Sequence, residues 1–453
     1  MSQPVAPWRP VQYLGSKLRT LEHIVDALGG LQAGGGVVWE PFTGSTVVSQ
    51  TLAQAGYTVC AGDALYASAT FATAVLGVGR GDETVSLPAL ACRIVDEARR
   101  CLEPDLELWA SWLTPETKAV EDRDGLRLIK LGAELPQRWR RSTGEDRGLR
   151  TIFEAVEVAA NERRLSARGL TSTTYAGTYF GLRQALELDT LREAIDRLAT
   201  AGVPSNRWTR ACMLTALAHA ASAAVFSPGK HFAQPHRVHD GKDLGFHARR
   251  IVADRSTPIY AKFLEASTRL EEVARGGEEN HRAEHERVEQ MSADRLIDWG
   301  VDVVYADPPY TAQQYSRFYH VLETLMESVP AKLQEVRGSV TRGLYPEGRY
   351  LSPFCSRVKA TPAIDALART AAKAGASLVV SYSDSMSDST GNARSIPLPT
   401  LVSTVEQAYG RSAVSVRRLP LRYRQFNHSS AGISNRDDPE FLVVANVGGL
   451  RAS

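Results

Sequence analysis

The sequence predicts a doubly wound α/β sheet interrupted by a large, mainly helical insert, and three observations carry that expectation. Short apolar runs lead directly into chemistry-bearing turns near residue 40 and again near residue 305. Strand-like and helix-like segments alternate around both turns, the pattern of parallel strands joined by helical crossovers. Between the two lies a long stretch with helical spacing and few strand signals. The expected organisation is therefore 1–75 as one half of the sheet domain, 76–285 as the insert, and 286–453 as the other half. At 453 residues the chain exceeds what one core usually organises.

Taken in order, Ser16 is placed to cap a helix carrying Leu18, Leu21, Ile24, Val25 and Leu28, ending at Gly29-Gly30. Val37–Glu40 reads as a strand, Thr46–Ala55 as a helix, and Thr58–Ala61 as a second strand ending at Asp63, together a βαβ unit with apolar strands. Val301–Ala306 is the next clear strand and runs into Asp307-Pro308-Pro309-Tyr310. Ala376–Tyr382, the region Val414–Tyr423 and Phe441–Asn446 supply further strands. The strongly charged Glu271–Gln290 reads as a solvated helix or loop.

Two turns carry chemistry. In Glu40-Pro41-Phe42-Thr43-Gly44-Ser45-Thr46, a glycine between strand and helix lets a ligand approach the backbone, and the helix start offers free amides. Asp63, at the end of the next strand, is placed to accept hydrogen bonds from ribose hydroxyls, so the unit describes a nucleoside-cofactor pocket; many folds use a glycine turn for geometry alone. In Asp307-Pro308-Pro309-Tyr310, the prolines stiffen the loop and fix where its aspartate and tyrosine point. A carboxylate and a backbone carbonyl accepting the two N–H bonds of an amine conjugated to a purine would free its lone pair for attack on a methyl group held in line. Tyr310 supplies a ring for stacking an extruded base. Read in isolation, the tetrapeptide is also an ordinary turn after a buried strand. A third segment, Gln12-Tyr13-Leu14-Gly15-Ser16-Lys17, places a lysine beside a glycine turn.

In type and order, Tyr13-Leu14-Gly15-Ser16-Lys17, Glu40-Pro41-Phe42-x-Gly44, Asp63 and Asp307-Pro308-Pro309-Tyr310 resemble the alpha group of DNA amino-methyltransferases, the Dam-like adenine methylases. The resemblance implies a Rossmann-like methyltransferase sheet, S-adenosylmethionine as methyl donor, and the 6-amino group of adenine in double-stranded DNA as acceptor. It implies that Tyr13, Lys17, Asp63 and Asp307 line the cofactor site, that Glu40, Phe42 and Gly44 shape its turn, and that Asp294 lies near the cofactor adenine. It also admits a restriction or phage-defence partner protein. Where the family has Gly-x-Gly, this chain has Gly44-Ser45-Thr46, so a side chain at Thr46 is expected to limit approach to the cofactor, although a threonine can instead donate a hydrogen bond. Methylation of cytosine 4-amino groups, of RNA or of a protein amide uses a similar loop, and a non-catalytic DNA-binding subunit would keep the fold.

By the same resemblance, the insert is where target recognition resides. Arg138, Arg140, Arg141 and Arg147, with Arg150, Arg163, Arg164 and Arg168, are candidate phosphate contacts, as are Arg422 and Arg424 in an acid-free arginine cluster. A solvated basic face is the plainer reading of such clusters, and the net charge of +2 does not decide between them. Thr171–Arg183 interleaves hydroxyls with aromatics able to contact bases or simply to pack between helices. Pro104-Asp105 followed by Glu116-Thr117-Lys118 matches a loose nuclease pattern, but Pro115 and the lack of alternation argue against the adjacent strands it needs. The five scattered cysteines form no zinc or disulfide framework, and His231, His236 and His239 lack partners at ligand spacing, so no metal is expected. No run approaches the roughly 20 apolar residues of a membrane span, and the start lacks a signal-peptide stretch, so a cytoplasmic protein is expected.

Overall fold

Strand order decides where a ligand can sit, and here it reverses between the two predicted turns. The computed structural model describes residues 6–32, 35–81, 85–142, 147–162, 169–200, 206–236, 238, 244–274, 280–330, 332–384, 394–424 and 437–449. The main sheet is built from β1 (Val37–Glu40), β2 (Thr58–Asp63), β3 (Arg282–His285), β4 (Val303–Ala306), β7 (Ser377–Ser383), β8 (Val414–Arg424) and β9 (Asp437–Ala445), in the order β3-β2-β1-β4-β7-β9-β8. The first five are parallel, and β9 runs antiparallel to both β7 and β8. A separate antiparallel hairpin joins β5 (Glu335–Val336) and β6 (Ser339–Val340). The chain moves outward from β1 to β3 and returns to β4 beside β1, which leaves a crevice at the carboxyl ends of β1 and β4.

The crossover helices are α1 (Leu21–Gly29), α2 (Val47–Gln54), α3 (Tyr66–Val75), α13 (Ala293–Asp298), α14 (Ser316–Glu327), α15 (Ala360–Lys373) and α16 (Leu398–Tyr409). α1 begins five residues after the predicted Ser16 cap, because Gly15 turns with φ +74° and Lys17 is drawn to Asp307. The other strands and α2 lie within a few residues of their predicted ranges. The largest departure is β3, inside the charged stretch read as helix or loop. Its sequence RAEH lacks an apolar face, but its backbone pairs with Cys60–Asp63, and the preceding His281 ring accepts the Val59 N–H at 3.0 Å through Nδ1.

Between β2 and β3 run α4 (Leu87–Leu108), α5 (Ala110–Glu121), α6 (Gly125–Ser142), α7 (Arg147–Glu162), α8 (Leu170–Thr174), α9 (Leu182–Thr200), α10 (Arg207–Ala224), α11 (Leu244–Arg255) and α12 (Ile259–Val273). α4, α9, α10 and α12 share a core with one face of the sheet, joining Ile24, Val38 and Val59 to Leu186, Leu214 and Phe263, while Ala119, Leu128, Phe226 and Ile251 form a separate small cluster. α10 is buried along nearly its whole length and packs against α3, α9, α12 and α14. A helix enclosed in this way is apolar all round, which fits its alanine-rich sequence. Trp208, 1% exposed, donates its indole N–H to the Ala74 carbonyl at 2.9 Å and so ties α10 to the end of α3. Trp208→Ala should remove about 3–5 kcal/mol of stability. Urea unfolding followed by far-UV circular dichroism measures this, and an unchanged midpoint would show that α10 does not depend on the anchor.

Candidate functional site

The turn after β1 is organised around two buried carboxylates. Asp63, at the end of β2, accepts the Gly44 N–H at 2.9 Å and the Leu65 N–H at 2.8 Å. Burial raises its pKa to about 6, against those amide hydrogen bonds. Thr43 donates through its hydroxyl to the Glu40 and Gly62 carbonyls, pinning the turn to both strands. Gly44 is fixed by geometry: its φ is +52°, and a Cβ there would lie 2.8 Å from the Tyr13 ring. Glu40 is 2% exposed and accepts a hydrogen bond from the Ser49 hydroxyl. Burial pushes its pKa up to about 8 against the Ser49 hydrogen bond, with further upward pressure from Asp307 and Asp63, so the fold favours its protonated form.

The N-terminal segment closes one wall. Tyr13 stacks on Tyr319 of α14 at 4.5 Å, and the Tyr319 hydroxyl accepts the Leu14 N–H at 2.9 Å. Lys17 then reaches across the crevice, its Nζ 3.0 Å from Oδ1 of Asp307 at the end of β4. Burial opposes the lysine charge, but Asp307 and Glu440 outweigh it and raise the pKa above the ordinary range. Asp307 is raised to about 6 by burial, with Lys17 pulling the other way.

Tyr13, Lys17, Glu40, Phe42, Gly44, Asp63, Asp307 and Pro309 together line one cavity of about 810 Å³, counted with its open mouth. Asp294 is not brought there: it sits exposed in the first turn of α13. Tyr310 lies behind the lining, 7% exposed, with Lys17 Nζ 5.4 Å and Arg394 Cζ 4.9 Å from its ring centre and Tyr382 edge-on. Its ring is therefore not an open platform for a base in this arrangement.

The cavity wall also includes Tyr315, Ser316 and Tyr350, which sequence reasoning missed. Tyr315 and Tyr319, one turn apart just beyond the proline loop, were the available signal. Thr46 does not line the cavity. Its backbone is left-handed at φ +67°, and its hydroxyl donates to the Ser45 carbonyl and accepts from Gln50 at 2.9 Å, away from the ligand space. The side chain therefore does not block the approach expected to be limited.

Among the insert candidates, Arg138, Arg140 and Arg141 fall on α6, Arg147 at the start of α7, and Arg422 and Arg424 at the end of β8; their side chains lie outside the described residues, as do Arg163, Arg164, Arg168 and His239. The aromatics Tyr175, Tyr179 and Phe180 are fully buried, and the Tyr179 hydroxyl donates to the Phe232 carbonyl at 2.7 Å, so they pack between elements and do not reach bases. The nuclease pattern falls on α4 and α5, where Glu116 accepts the Leu182 and Arg183 N–H groups at the start of α9. No cluster able to hold a metal occurs among the described residues, and no described helix is long and apolar enough to cross a membrane.

A crevice at a strand-order reversal, a glycine turn with an acid on the next strand, and an aspartate-proline loop facing both define a doubly wound α/β protein whose central crevice is lined by Gly44, Asp63 and Asp307. Residues 13–90 and 260–344 match the model of the D12 class N6 adenine-specific DNA methyltransferase family, in keeping with the resemblance to Dam-like enzymes over these segments. No curated protein matches the chain.

The raised pKa of Glu40 has a consequence for stability. The folded protein keeps this proton to about pH 8, whereas an unfolded glutamate releases it near about pH 4.3. The folded state therefore binds more protons inside that window, and stability is lost as pH rises through it. Glu40→Gln should leave the thermal midpoint little changed at about pH 4 and raise it relative to wild type by about pH 8. Scanning calorimetry across this range checks the sign, and a constant offset between the two proteins would contradict it.

Proposed function

We propose that this protein transfers a methyl group from S-adenosylmethionine to the 6-amino group of an adenine extruded from double-stranded DNA. The observation that carries the reading is Asp307, held 3.0 Å from Lys17 at the carboxyl end of β4 and facing the cavity that Gly44 and Asp63 shape. The residues fit the cofactor: two glycines with positive φ, Gly15 and Gly44, sit where a Cβ would meet a tyrosine, and an acid ends the neighbouring strand. Tyr13, Phe42, Gly44 and Asp63 would hold it, with Asp63 toward the ribose hydroxyls. When bound, S-adenosylmethionine supplies an electrophilic methyl group on a sulfonium.

The chain's own work is on the acceptor. The ionised Asp307 carboxylate accepts one N–H of the adenine amine and the Pro308 carbonyl accepts the other, which draws the nitrogen lone pair out of ring conjugation. Pro308 and Pro309 keep both acceptors in place, so the rate gain comes from orientation. Lys17 keeps Asp307 ionised. Tyr310, beneath the loop, holds its shape. Glu40, protonated, keeps the cavity floor uncharged. The helical insert and the arginine clusters on α6, α7 and β8 supply DNA contacts and target choice, and the protein acts in the cytoplasm.

Asp307→Ala should abolish methyl transfer to duplex DNA while the far-UV circular dichroism spectrum of the fold is kept. The wild-type rate should fall below about pH 6 as Asp307 takes up a proton. Transfer of tritiated methyl groups to genomic DNA, with nucleoside analysis of the product, tests both. Product at the cytosine 4-amino group or in RNA would move the acceptor, and cofactor-free DNA binding without any transfer would favour a non-catalytic subunit.

A further inference from the structure

The proline loop is usually explained by its own stiffness, yet in this chain its far end is held by a segment that joins β7 to α16. Arg394 is 9% exposed and lies under the loop. Its Nε donates to the Ser383 carbonyl at 2.5 Å, and a terminal nitrogen donates to the Ser383 hydroxyl at 2.9 Å, which fixes the guanidinium at the end of β7. From there Arg394 Cζ lies 4.9 Å from the centre of the Tyr310 ring. The backbone is tied as well: Thr311 and Arg394 form an antiparallel bridge, and Ser395 donates its N–H to the Tyr310 carbonyl at 2.9 Å. Two residues on, the Ile396 carbonyl accepts from the Tyr382 hydroxyl, and the Tyr382 ring meets the Tyr310 ring edge-on at 5.8 Å.

We propose that Arg394 is a positioning residue for methyl transfer, clamping the Tyr310 ring and backbone so that Asp307 and Pro308 present their acceptors at a fixed separation. The proposal rests on the methyl-transfer reading for its kinetic consequence, but the clamp itself is a property of the loop. A guanidinium hydrogen-bonded in a plane and stacked over an aromatic ring is directional in two ways at once, which a lysine ammonium only partly reproduces. Lys17 approaches the same ring at 5.4 Å and pairs with Asp307, so the loop is held by cations from the N-terminal segment and from the segment after β7. A small displacement of the acceptors is costly, because catalysis by orientation loses about a hundred-fold in rate for about 1 Å of misplacement.

The test uses the full-length protein with Arg394→Ala and Arg394→Lys. Hydrogen–deuterium exchange should show faster exchange in peptides covering 303–312 and 394–397 for Arg394→Ala, with the Gly44 turn unchanged. On DNA, Arg394→Ala should lower kcat about ten-fold or more, with KM for DNA and the calorimetric affinity for S-adenosylmethionine within about three-fold. Arg394→Lys should recover part of the loss. Unchanged exchange over 303–312 overturns the clamp, whether or not the protein methylates DNA. So does a kcat within about two-fold of wild type, or a loss of cofactor affinity in step with kcat, which marks a merely structural residue. A wild-type protein that transfers no methyl group defeats the methyl-transfer reading instead, and leaves the exchange measurement to decide the clamp.

Discussion

The parallel pairing of β1 with β4 is the constraint on which the rest depends. Val38 lies opposite Val303 and Trp39 opposite Val304, so two segments far apart in sequence end side by side. The Asp302 carboxylate accepts the Val37 N–H at 2.8 Å, and the Asp302 N–H donates to the Val37 carbonyl, which fixes the register at the first residue of the pair. Because side chains alternate along a strand, a one-residue slip would turn the apolar faces of both central strands over. Register therefore sets the height at which Glu40 and Asp307 leave the sheet, and the Lys17–Asp307 contact closes the gap between them.

Charge is arranged around that pairing so that little of it is free in the crevice. Burial favours the neutral form of Glu40, and Asp307 is matched by Lys17. Asp63 is stabilised by the amides of the turn that it shapes. The same economy appears in the helices between β2 and β3, where Asp189 accepts the Thr171 and Ser172 N–H groups and Glu116 those of Leu182 and Arg183, so these two buried acids cap helices.

Much of this was legible in the sequence because it is local. Val37–Glu40, Thr58–Asp63 and Val303–Ala306 are apolar runs that end in turn residues, and the glycine and proline turns announce where the backbone must bend. The motif order then located Tyr13, Lys17, Gly44, Asp63 and Asp307, which the structure gathers in one cavity. What was missed depends on distant partners. β3 has no apolar periodicity and exists because β2 offers it a free edge. α1 starts late because Lys17 answers to Asp307. Asp294 was placed by its position in the motif order, yet α13 turns it to the exterior. Tyr175 and Tyr179 carry the composition of a contact surface but are enclosed by α9, α14 and the segment around Phe232. Arg394 had no local signal, since its partners Ser383 and Tyr310 meet it only through the sheet.

Thr46 ties the turn after β1 to the segment around Trp8. A non-glycine residue in the left-handed region costs about 1–2 kcal/mol, so neighbouring contacts must hold it there. The Gln50 amide donates to the Thr46 hydroxyl and to the Trp8 carbonyl at 2.7 Å, and its oxygen accepts the Trp8 N–H at 2.9 Å. One glutamine thus splices the residues before Tyr13 onto the start of α2. Mechanically, the segment around Trp8 is a guy-rope on the turn, and any fusion partner or surface that pulls on it loads the Gly44 turn directly.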